Sequence, residues 1–373
     1  MKKVCVLGAG LVAGPLVEYL LNLNEVQVKV ADIEVEKARE LVKNHPGGLA
    51  FQLDLKERQA LVELIADCEV VVSMVPYTYH PYVADLCLDL RKHLVTASYV
   101  SKEMKAMDRE ARDKGLVFLN ELGLDPGIDH MEAMRLIDEA RRQSGQVLSF
   151  ISYCGGLPAP EACDNPFCYK FSWSPRGVLL AGKNEARYLS EGQIVVVPAE
   201  ELFSHYKIIE ISGLGSFEGY PNRDSVSYIE IYGISGVRTM LRGTLRYPGW
   251  CHKLKKINEL GLLDLTEREW QQETYAGFLK EYLGLTAEKN LRREVAGRLN
   301  LPEDSEVIQS FDWLGLFSEK PLPAKKASPL DLLLALMVEK LRYREGERDM
   351  TVLQHEILVE YEGKKREKIT STL

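Results

Sequence analysis

Met1-Lys-Lys-Val-Cys-Val-Leu-Gly8-Ala-Gly10-Leu-Val-Ala-Gly14 opens the chain and decides how its N-terminal part folds. Val4 to Leu7 is an unbroken apolar run, long enough for a strand buried on both faces, and it runs directly into glycines at 8, 10 and 14. The order reads as strand, tight turn and helix start. Gly8 would permit the turn, Gly10 would let backbone amides approach a pyrophosphate, and Gly14 would let the new helix lie close on the sheet. The last glycine stands one residue later than in the GxGxxG pattern, so the frame around the string carries the reading.

That frame continues as an amphipathic helix from Leu11 to Leu23 and a second strand, Val26 to Val30, ending at Asp32. An acidic residue at this strand tip, about 20 residues past the glycines, is where the ribose 2′-hydroxyl of an adenine dinucleotide is bound, and its charge repels a 2′-phosphate. The expected cofactor is therefore NAD rather than NADP. Further strands are expected at Ala50 to Asp54, Cys68 to Met74, His93 to Ala97 and Leu116 to Asn120. Helices are expected between them at Glu34 to Lys43, Lys56 to Ile65, Pro81 to Leu90 and Met104 to Lys114. Six strands alternating with helices give an α/β fold, a Rossmann-type doubly wound parallel sheet. Asp54 reads either as a residue near the adenine or as a helix N-cap. Tyr77, Thr78 and His80 fall in a loop at the carboxyl edge where ligands collect, although a lone His reads equally as a packed or surface residue. After the sixth strand comes Glu121-Leu-Gly-Leu-Asp125-Pro-Gly-Ile-Asp129-His130, a hinge in which Asp125 and Pro126 read as an N-cap and first-turn pair. Asp129 is a second possible cap, and the helix is expected from Met131 to Arg142.

Composition narrows the function classes. With 373 residues, 46 % hydrophobic and a net charge of −8, the chain has material for several cores and no basic footprint for nucleic acid or anionic lipid. A strand starting at residue 4 leaves no room for a signal peptide, and the longest apolar helical run, Leu330 to Val338, is too short to span a bilayer. A cytoplasmic protein is expected. Seven cysteines without a CxxC pair suit reduced thiols, and Cys154, Cys163 and Cys168 have no metal-ligand spacing, so no metal is expected.

Beyond the hinge the pattern changes. Strands are expected at Val147 to Cys154, closed by Gly155-Gly156, at Gln193 to Val197 and at Tyr228 to Tyr232, in an α+β domain on a mostly antiparallel sheet. Arginines beside aromatics, in Tyr220-Pro-Asn-Arg-Asp224 and Arg242-Gly-Thr-Leu-Arg-Tyr247, suit carboxylate recognition or surface ion pairs. Helices follow at Thr266 to Leu283, Ala287 to Leu299, Val307 to Leu316 and, after a Ser328 cap, Pro329 to Arg344. Glu356 to Tyr361 and Lys365 to Ser371 read as a terminal hairpin around Glu362-Gly363.

The sequence resembles the glutamate-forming saccharopine dehydrogenases, the saccharopine reductases. The segments that carry the resemblance are Met74-Val-Pro-Tyr-Thr-Tyr-His-Pro81, Ser98-Tyr-Val-Ser101, Asn120 to His130, Ser152-Tyr-Cys-Gly-Gly-Leu-Pro-Ala-Pro160, Tyr169-Lys-Phe-Ser-Trp-Ser-Pro-Arg-Gly177, Tyr220 to Asp224 and Arg242 to Tyr247. It implies a nucleotide domain (1–126), an α+β substrate-binding and dimerisation domain (127–247 plus 347–373) and a small all-α domain (248–346) in a homodimer. It implies lysine metabolism: oxidation of the CH–NH group of saccharopine with NAD(P), then hydrolysis of the imine to L-glutamate and 2-aminoadipate 6-semialdehyde, or the reverse. On matching positions, Ser98, Tyr99, Asp125, Trp173, Asn222, Arg223, Thr244, Leu245 and Arg246 would bind the substrate. Gly8, Gly10, Leu11, Val12, Asp32, Ile33, Asp54, Val75, Pro76, Ser98, Leu124, Asp125 and Pro126 would bind the cofactor.

Saccharopine carries three carboxylates and two amines, which calls for arginines plus an acidic group. Asp125, Tyr99 and Cys154 are the catalytic candidates, with Cys154 reading equally as a small buried thiol. Fungal members of the family carry an Arg-Thr-type pair, suited to NADP, where this chain has Asp32-Ile33. The family also continues past the terminal hairpin, so a C-terminally truncated chain is expected. Two other readings remain: a related amine dehydrogenase acting on carboxynorspermidine or lysine, which needs fewer carboxylate anchors, and a non-catalytic NAD-binding module.

Overall fold

The computed structural model describes residues 1–23, 25–286 and 290–373. They form two compact units, Met1–Glu132 and Ala133–Leu373. In the first, strands β1 (Lys2–Leu7), β2 (Val26–Asp32), β3 (Gly48–Gln52), β4 (Val70–Ser73), β5 (His93–Thr96) and β6 (Phe118–Leu119) make one sheet in the order β3-β2-β1-β4-β5-β6. Every pairing is parallel, as the unbroken apolar strands require. The connecting helices are α1 (Ala13–Leu21), α2 (Val35–Val42), α3 (Arg58–Ile65), α4 (His80–Asp89), α5 (Lys102–Ala106) and α6 (Asp108–Asp113). α7 (Ile128–Arg142) carries the chain into the second unit.

Several local expectations are corrected. Leu11 and Val12 belong to the turn and stand exposed, so α1 begins only at Ala13. A Cβ on Gly14 would meet Leu41 of α2 at an ordinary 3.6 Å, so no close approach to the sheet demands this glycine. Gly8 does need its freedom: φ is +100° and a Cβ would lie 2.9 Å from the Met74 carbonyl oxygen. β3 begins at Gly48, which leaves Asp54 past the strand; its Oδ1 accepts from Lys56 N at 2.9 Å, an Asx turn three residues short of the Glu57 cap position. Asp125 is not a helix cap, because α7 starts at Ile128. The expected helix from Met104 to Lys114 is split into α5 and α6 at Met107.

The second unit is built on an eight-stranded sheet. Its path is β10 (Lys207–Ile211), β11 (Gly215–Pro221), β12 (Thr239–Arg246), β7 (Gln146–Pro158), β15 (Asp349–Glu360) and β16 (Arg366–Thr372). β8 (Ala186–Ser190) pairs with β12 and with β9 (Gln193–Val197). The sheet is mostly antiparallel, as expected, with β12 and β7 running parallel at its centre. β7 does not stop at Gly155-Gly156: β15 pairs with it as far as Asp349↔Pro158. Gly155 is needed there, its Cβ position lying 2.9 Å from Leu245 Cβ.

Helices α8 (Pro175–Ala181), α9 (Tyr228–Ile231), α10 (Trp250–Glu259), α11 (Tyr275–Leu283), α12 (Leu291–Arg298), α13 (Glu306–Leu314) and α14 (Pro329–Lys340), with the short pair β13 (Arg268–Glu269) and β14 (Lys326–Ala327), complete the unit. Tyr228 to Tyr232, read as a strand, is the helical turn α9. Tyr228 and Tyr232 are buried while Glu230 between them is exposed, which is helical spacing, since in a strand all three would share a face. Residues 266–274 are not helical because Arg268 and Glu269 pair with β14 and Trp270 Nε1 donates to Ala327 O. The expected start of the next helix at Ala287 lies outside the described residues. Ser328 caps α14 as expected, its Oγ accepting from Asp331 N, and the terminal hairpin forms, longer than expected, from β15 and β16. Cysteines 163 and 168 are joined as a disulfide, with Cα atoms 4.7 Å apart, which corrects the expectation of reduced thiols throughout. Asn165 folds this loop back by accepting from Phe167 N and donating to Tyr169 O.

Two outcomes follow from this packing. Gly8→Ala should destabilise the first unit by at least about 2 kcal/mol in a urea unfolding titration, through a positive φ and a backbone clash. His80, at the start of α4, is 3 % exposed, and burial lowers its pKa to about 4. The unfolded chain therefore takes up a proton below about pH 6.5 that the native chain refuses until about pH 4, so stability falls as pH falls through that window. The loss should be about 2–3 kcal/mol between pH ~7 and pH ~4.5, and His80→Gln should flatten that part of the slope.

Candidate active site

The parallel sheet of the first unit brings its turns to one edge. Asp32, at the tip of β2, is held by two backbone donors: Ala9 N to Oδ2 at 2.7 Å and Glu34 N to Oδ1 at 2.9 Å. The carboxylate is thereby tied to the glycine turn. Gly10 has open space where a Cβ would stand, and α1 starts without a side-chain cap, so that beyond Ala13 N, which donates to Gly10 O at 3.0 Å, the N–H groups of its first turn are placed for an anion. Leu11, Val12 and Ile33 are 64, 49 and 60 % exposed, apolar surface of the kind that a planar ring system covers. Val75 is half-buried against Gly8 and Pro76 is exposed. These residues suit an adenine dinucleotide. Asp54 spends its Oδ1 on its own turn.

On the same sheet, Tyr99 Oη donates to Asp125 Oδ1 at 2.6 Å. The Asp125-Pro126 peptide is cis, and Gly123 N donates to Pro126 O at 2.9 Å, closing the loop tightly. Gly127 has φ +151° and no room for a Cβ, which would lie 2.1 Å from Gly123 O. Asp129 Oδ1 accepts from Gly127 N at 2.6 Å, and Leu124 O accepts from Asp129 N at 3.0 Å. Ser98 stands half-buried beside Tyr99, its Oγ 2.8 Å from His80 Nε2. His80 is thus a packed residue at the edge, while Tyr77 and Thr78 are exposed.

In the second unit, alternation along β12 places Thr244 and Arg246 on one face and Leu245, fully buried, on the other. Cys154 of β7 is in register with Thr244 and shares its face. Arg246 is 5 % exposed; its Nη1 donates to Leu245 O at 2.7 Å, and its Nε has no hydrogen-bond partner among the described residues. Tyr169 and Trp250 wall it in, with ring centroids 4.9 and 5.6 Å from its Cζ. Glu218, its neighbour across β11, does not neutralise it. That carboxylate accepts from Gly249 N and Cys251 N, both at 2.7 Å, where α10 begins. Asn222 N donates to Arg242 O; Arg223 follows in an exposed turn with φ +50°, and Trp173 is 39 % exposed before α8.

The sequence reading did not anticipate the aromatic walls of Arg246 or the diversion of Glu218. Tyr169 and Trp250 lie far apart in the chain, and only the Arg-x-Thr-x-Arg alternation in 242–246 signalled that face. Among the described residues no helix is long and apolar enough to cross a membrane.

Comparison with known proteins bears on the same residues. Residues 4–119 match the model of the saccharopine dehydrogenase NADP binding domain, and residues 123–373 that of the saccharopine dehydrogenase C-terminal domain. The chain is 39 % identical to the saccharopine dehydrogenase [NADP(+), L-glutamate-forming] of Saccharomyces cerevisiae, over 100 % of this chain and 84 % of that one. It is 37 % identical to the protein of the same name from Schizosaccharomyces pombe, over 100 % and 85 %. The mitochondrial alpha-aminoadipic semialdehyde synthase of Rattus norvegicus is 38 % identical over 95 % of this chain and 39 % of its own length. The solved apo saccharopine dehydrogenase (L-Glu forming) from S. cerevisiae superposes with a TM-score of 0.86 at 38 % identity, covering 100 % of this chain and 85 % of that one. With both halves matched by its domain models and full-length relatives well above 30 % identity, the chain belongs to the saccharopine dehydrogenase family.

Proposed function

We propose that this chain is an L-glutamate-forming saccharopine dehydrogenase, an oxidoreductase of lysine metabolism acting on the CH–NH group of saccharopine. The observation that carries the proposal is Arg246, a buried guanidinium with no acidic partner among the described residues, in a chain whose full-length relatives are named for saccharopine. A guanidinium cannot shed its proton to escape burial, so a carboxylate ligand is its natural complement.

Residue roles are assigned unit by unit. In the second, Arg246, Thr244 and the neighbouring Asn222, Arg223, Trp173 and Leu245 backbone serve substrate carboxylates. In the first, Ser98, Tyr99 and Asp125 bind the substrate, with Asp125 facing an ammonium group. Gly8, Gly10, Leu11, Val12, Asp32, Ile33, Val75, Pro76, Ser98 and the 124–126 loop hold the dinucleotide, with Asp54 nearer the adenine end. The bound nicotinamide supplies the hydride acceptor. The secondary amine loses its proton as its neighbouring carbon loses hydride. Water then adds to the imine carbon, and the C–N bond breaks to release glutamate and the semialdehyde. Asp125 takes and returns protons, Tyr99 orients its carboxylate through the 2.6 Å hydrogen bond, and Cys154 stands as a third candidate for proton transfer.

NAD is favoured because Asp32 presents a negative charge where NADP carries its 2′-phosphate, although relatives are named for NADP(+). We further propose a cytoplasmic homodimer and the three-part division into 1–126, 127–247 plus 347–373, and 248–346. That α10 to α14 fall within 248–346, while β15 and β16 rejoin the large sheet, supports the division.

Saccharopine-dependent reduction of NAD, followed by absorbance of the reduced nicotinamide, tests the activity, and absence of turnover with both NAD and NADP would sink it. Asp32→Ala should lower the preference for NAD over NADP by about tenfold or more, as expected when one charged contact worth roughly 1.5–3 kcal/mol is removed. Arg246→Met should raise the saccharopine KM at least about a hundredfold while leaving the melting temperature nearly unchanged, because an isosteric apolar side chain replaces a desolvated charge.

A further inference from the structure

The edge of the first sheet holds a three-residue chain of hydrogen bonds that the reaction scheme does not use. Ser73 Oγ, at the end of β4, lies 2.9 Å from His80 Nδ1, and His80 Nε2 lies 2.8 Å from Ser98 Oγ. Ser73 is 1 % exposed and His80 3 %. The backbone of Ser98 is fully engaged, its N donating to Thr96 Oγ1 at 3.1 Å and its O accepting from Glu121 N at 3.1 Å. Its hydroxyl is therefore the polar group it has to offer a ligand.

What that hydroxyl offers depends on the His80 tautomer. With the proton on Nδ1, the ring donates to Ser73 and Nε2 consumes the Ser98 proton, so Ser98 presents only lone pairs, which repel a carboxylate. With the proton on Nε2, Ser73 donates to Nδ1 and the ring donates to Ser98, whose own O–H is released to point at a ligand. Ser73 decides between them. Its hydroxyl has no acceptor other than Nδ1 among the described residues, and a buried O–H without an acceptor is more costly than an oxygen with a spare lone pair. Burial keeps the ring neutral at physiological pH, so only these two arrangements compete.

We infer that Ser73 and His80 are positioning residues that fix Ser98 as a hydrogen-bond donor to a substrate carboxylate. The inference rests on the reading that Ser98 binds saccharopine, and it adds the reason why a serine there, rather than a second arginine, can bind an anion. The device differs from a structural hydrogen bond in that its output is the direction of one proton.

Two measurements test it. Histidine-selective 15N NMR of the whole protein should find His80 protonated on Nε2; protonation on Nδ1 overturns the inference whatever the kinetics. In steady-state assays His80→Leu should raise the saccharopine KM about tenfold, the cost of one hydrogen bond to a charged group, with kcat within about twofold. His80→Gln, whose amide nitrogen reaches the Nε2 position, should recover most of that loss. In a Ser98→Ala background His80→Leu should add nothing further, whereas an effect that adds in full marks His80 as merely structural and overturns the inference. Should His80→Leu fail to fold, Ser73→Ala serves in its place, with mixed tautomers and a KM raised about threefold expected and an unchanged tautomer and KM overturning it. A Ser98→Ala variant with unchanged KM instead sinks the substrate reading of Ser98, a failure that the NMR result distinguishes from failure of the tautomer assignment.

Discussion

Parallel strand direction is the constraint on which the first unit depends. Because β1, β2, β4, β5 and their neighbours all run the same way, each strand must be followed by a crossover, and every strand ends at one edge. Residues distant in sequence are brought there without any contact having been selected for its own sake. Asp32 reaches back to Ala9 N, His80 bridges the ends of β4 and β5, and Tyr99 meets Asp125. The glycine turn belongs to the same constraint: β1 can lie against β4 down to its last residue only because Gly8 has no side chain to strike the Met74 carbonyl.

The second unit solves a different problem, that of keeping a cation in a core. Arg246 stays charged at any physiological pH, and its burial costs several kcal/mol when no anion answers it. The surroundings lower that cost without cancelling it. Leu245 O accepts one N–H, and the faces of Tyr169 and Trp250 supply weaker cation–π attraction. The carboxylate closest along the ladder, Glu218, is committed to the amides that open α10. A protein that needed only stability would have paired the two. On the proposed function, the cost is recovered when a substrate carboxylate arrives, so binding draws on a charge the fold has already desolvated.

Most of the first unit was legible because its signals are local. Apolar runs, glycines and a strand-tip acid state the crossover pattern directly, and the differences lie at element ends, as at Leu11 and Val12, whose apolar side chains suit a helix but stand in the turn before α1. The second unit was less legible because its pairings are remote. Nothing in Gly155-Gly156 announces that β15, some two hundred residues later, extends β7 through them. Tyr228-Ile-Glu-Ile-Tyr232 has the β-branched and aromatic content of a strand, yet Tyr228 and Tyr232 are buried with Glu230 exposed between them, the pattern of a helical turn. The Cys163–Cys168 link likewise depends on a loop closed by Asn165, which no cysteine spacing reports. Of the site, residue types were readable but partners were not: His80 looked unremarkable because Ser73 and Ser98 lie on other elements.

Cofactor choice illustrates how a single readable residue acquires force only from its partners. An aspartate free to rotate could swing toward water and relax its repulsion of a 2′-phosphate. Asp32 has both oxygens engaged, one by the amide of the glycine turn and one by the amide that precedes α2. Rotation would exchange both bonds for water, at a cost on the order of 1 kcal/mol each. The two bonds therefore favour one placement of the charge, which on the proposed reading is the one that opposes a 2′-phosphate. On the proposed reading this chain prefers NAD while relatives are named for NADP(+), the difference lying in the side chain at one strand tip and in what holds it.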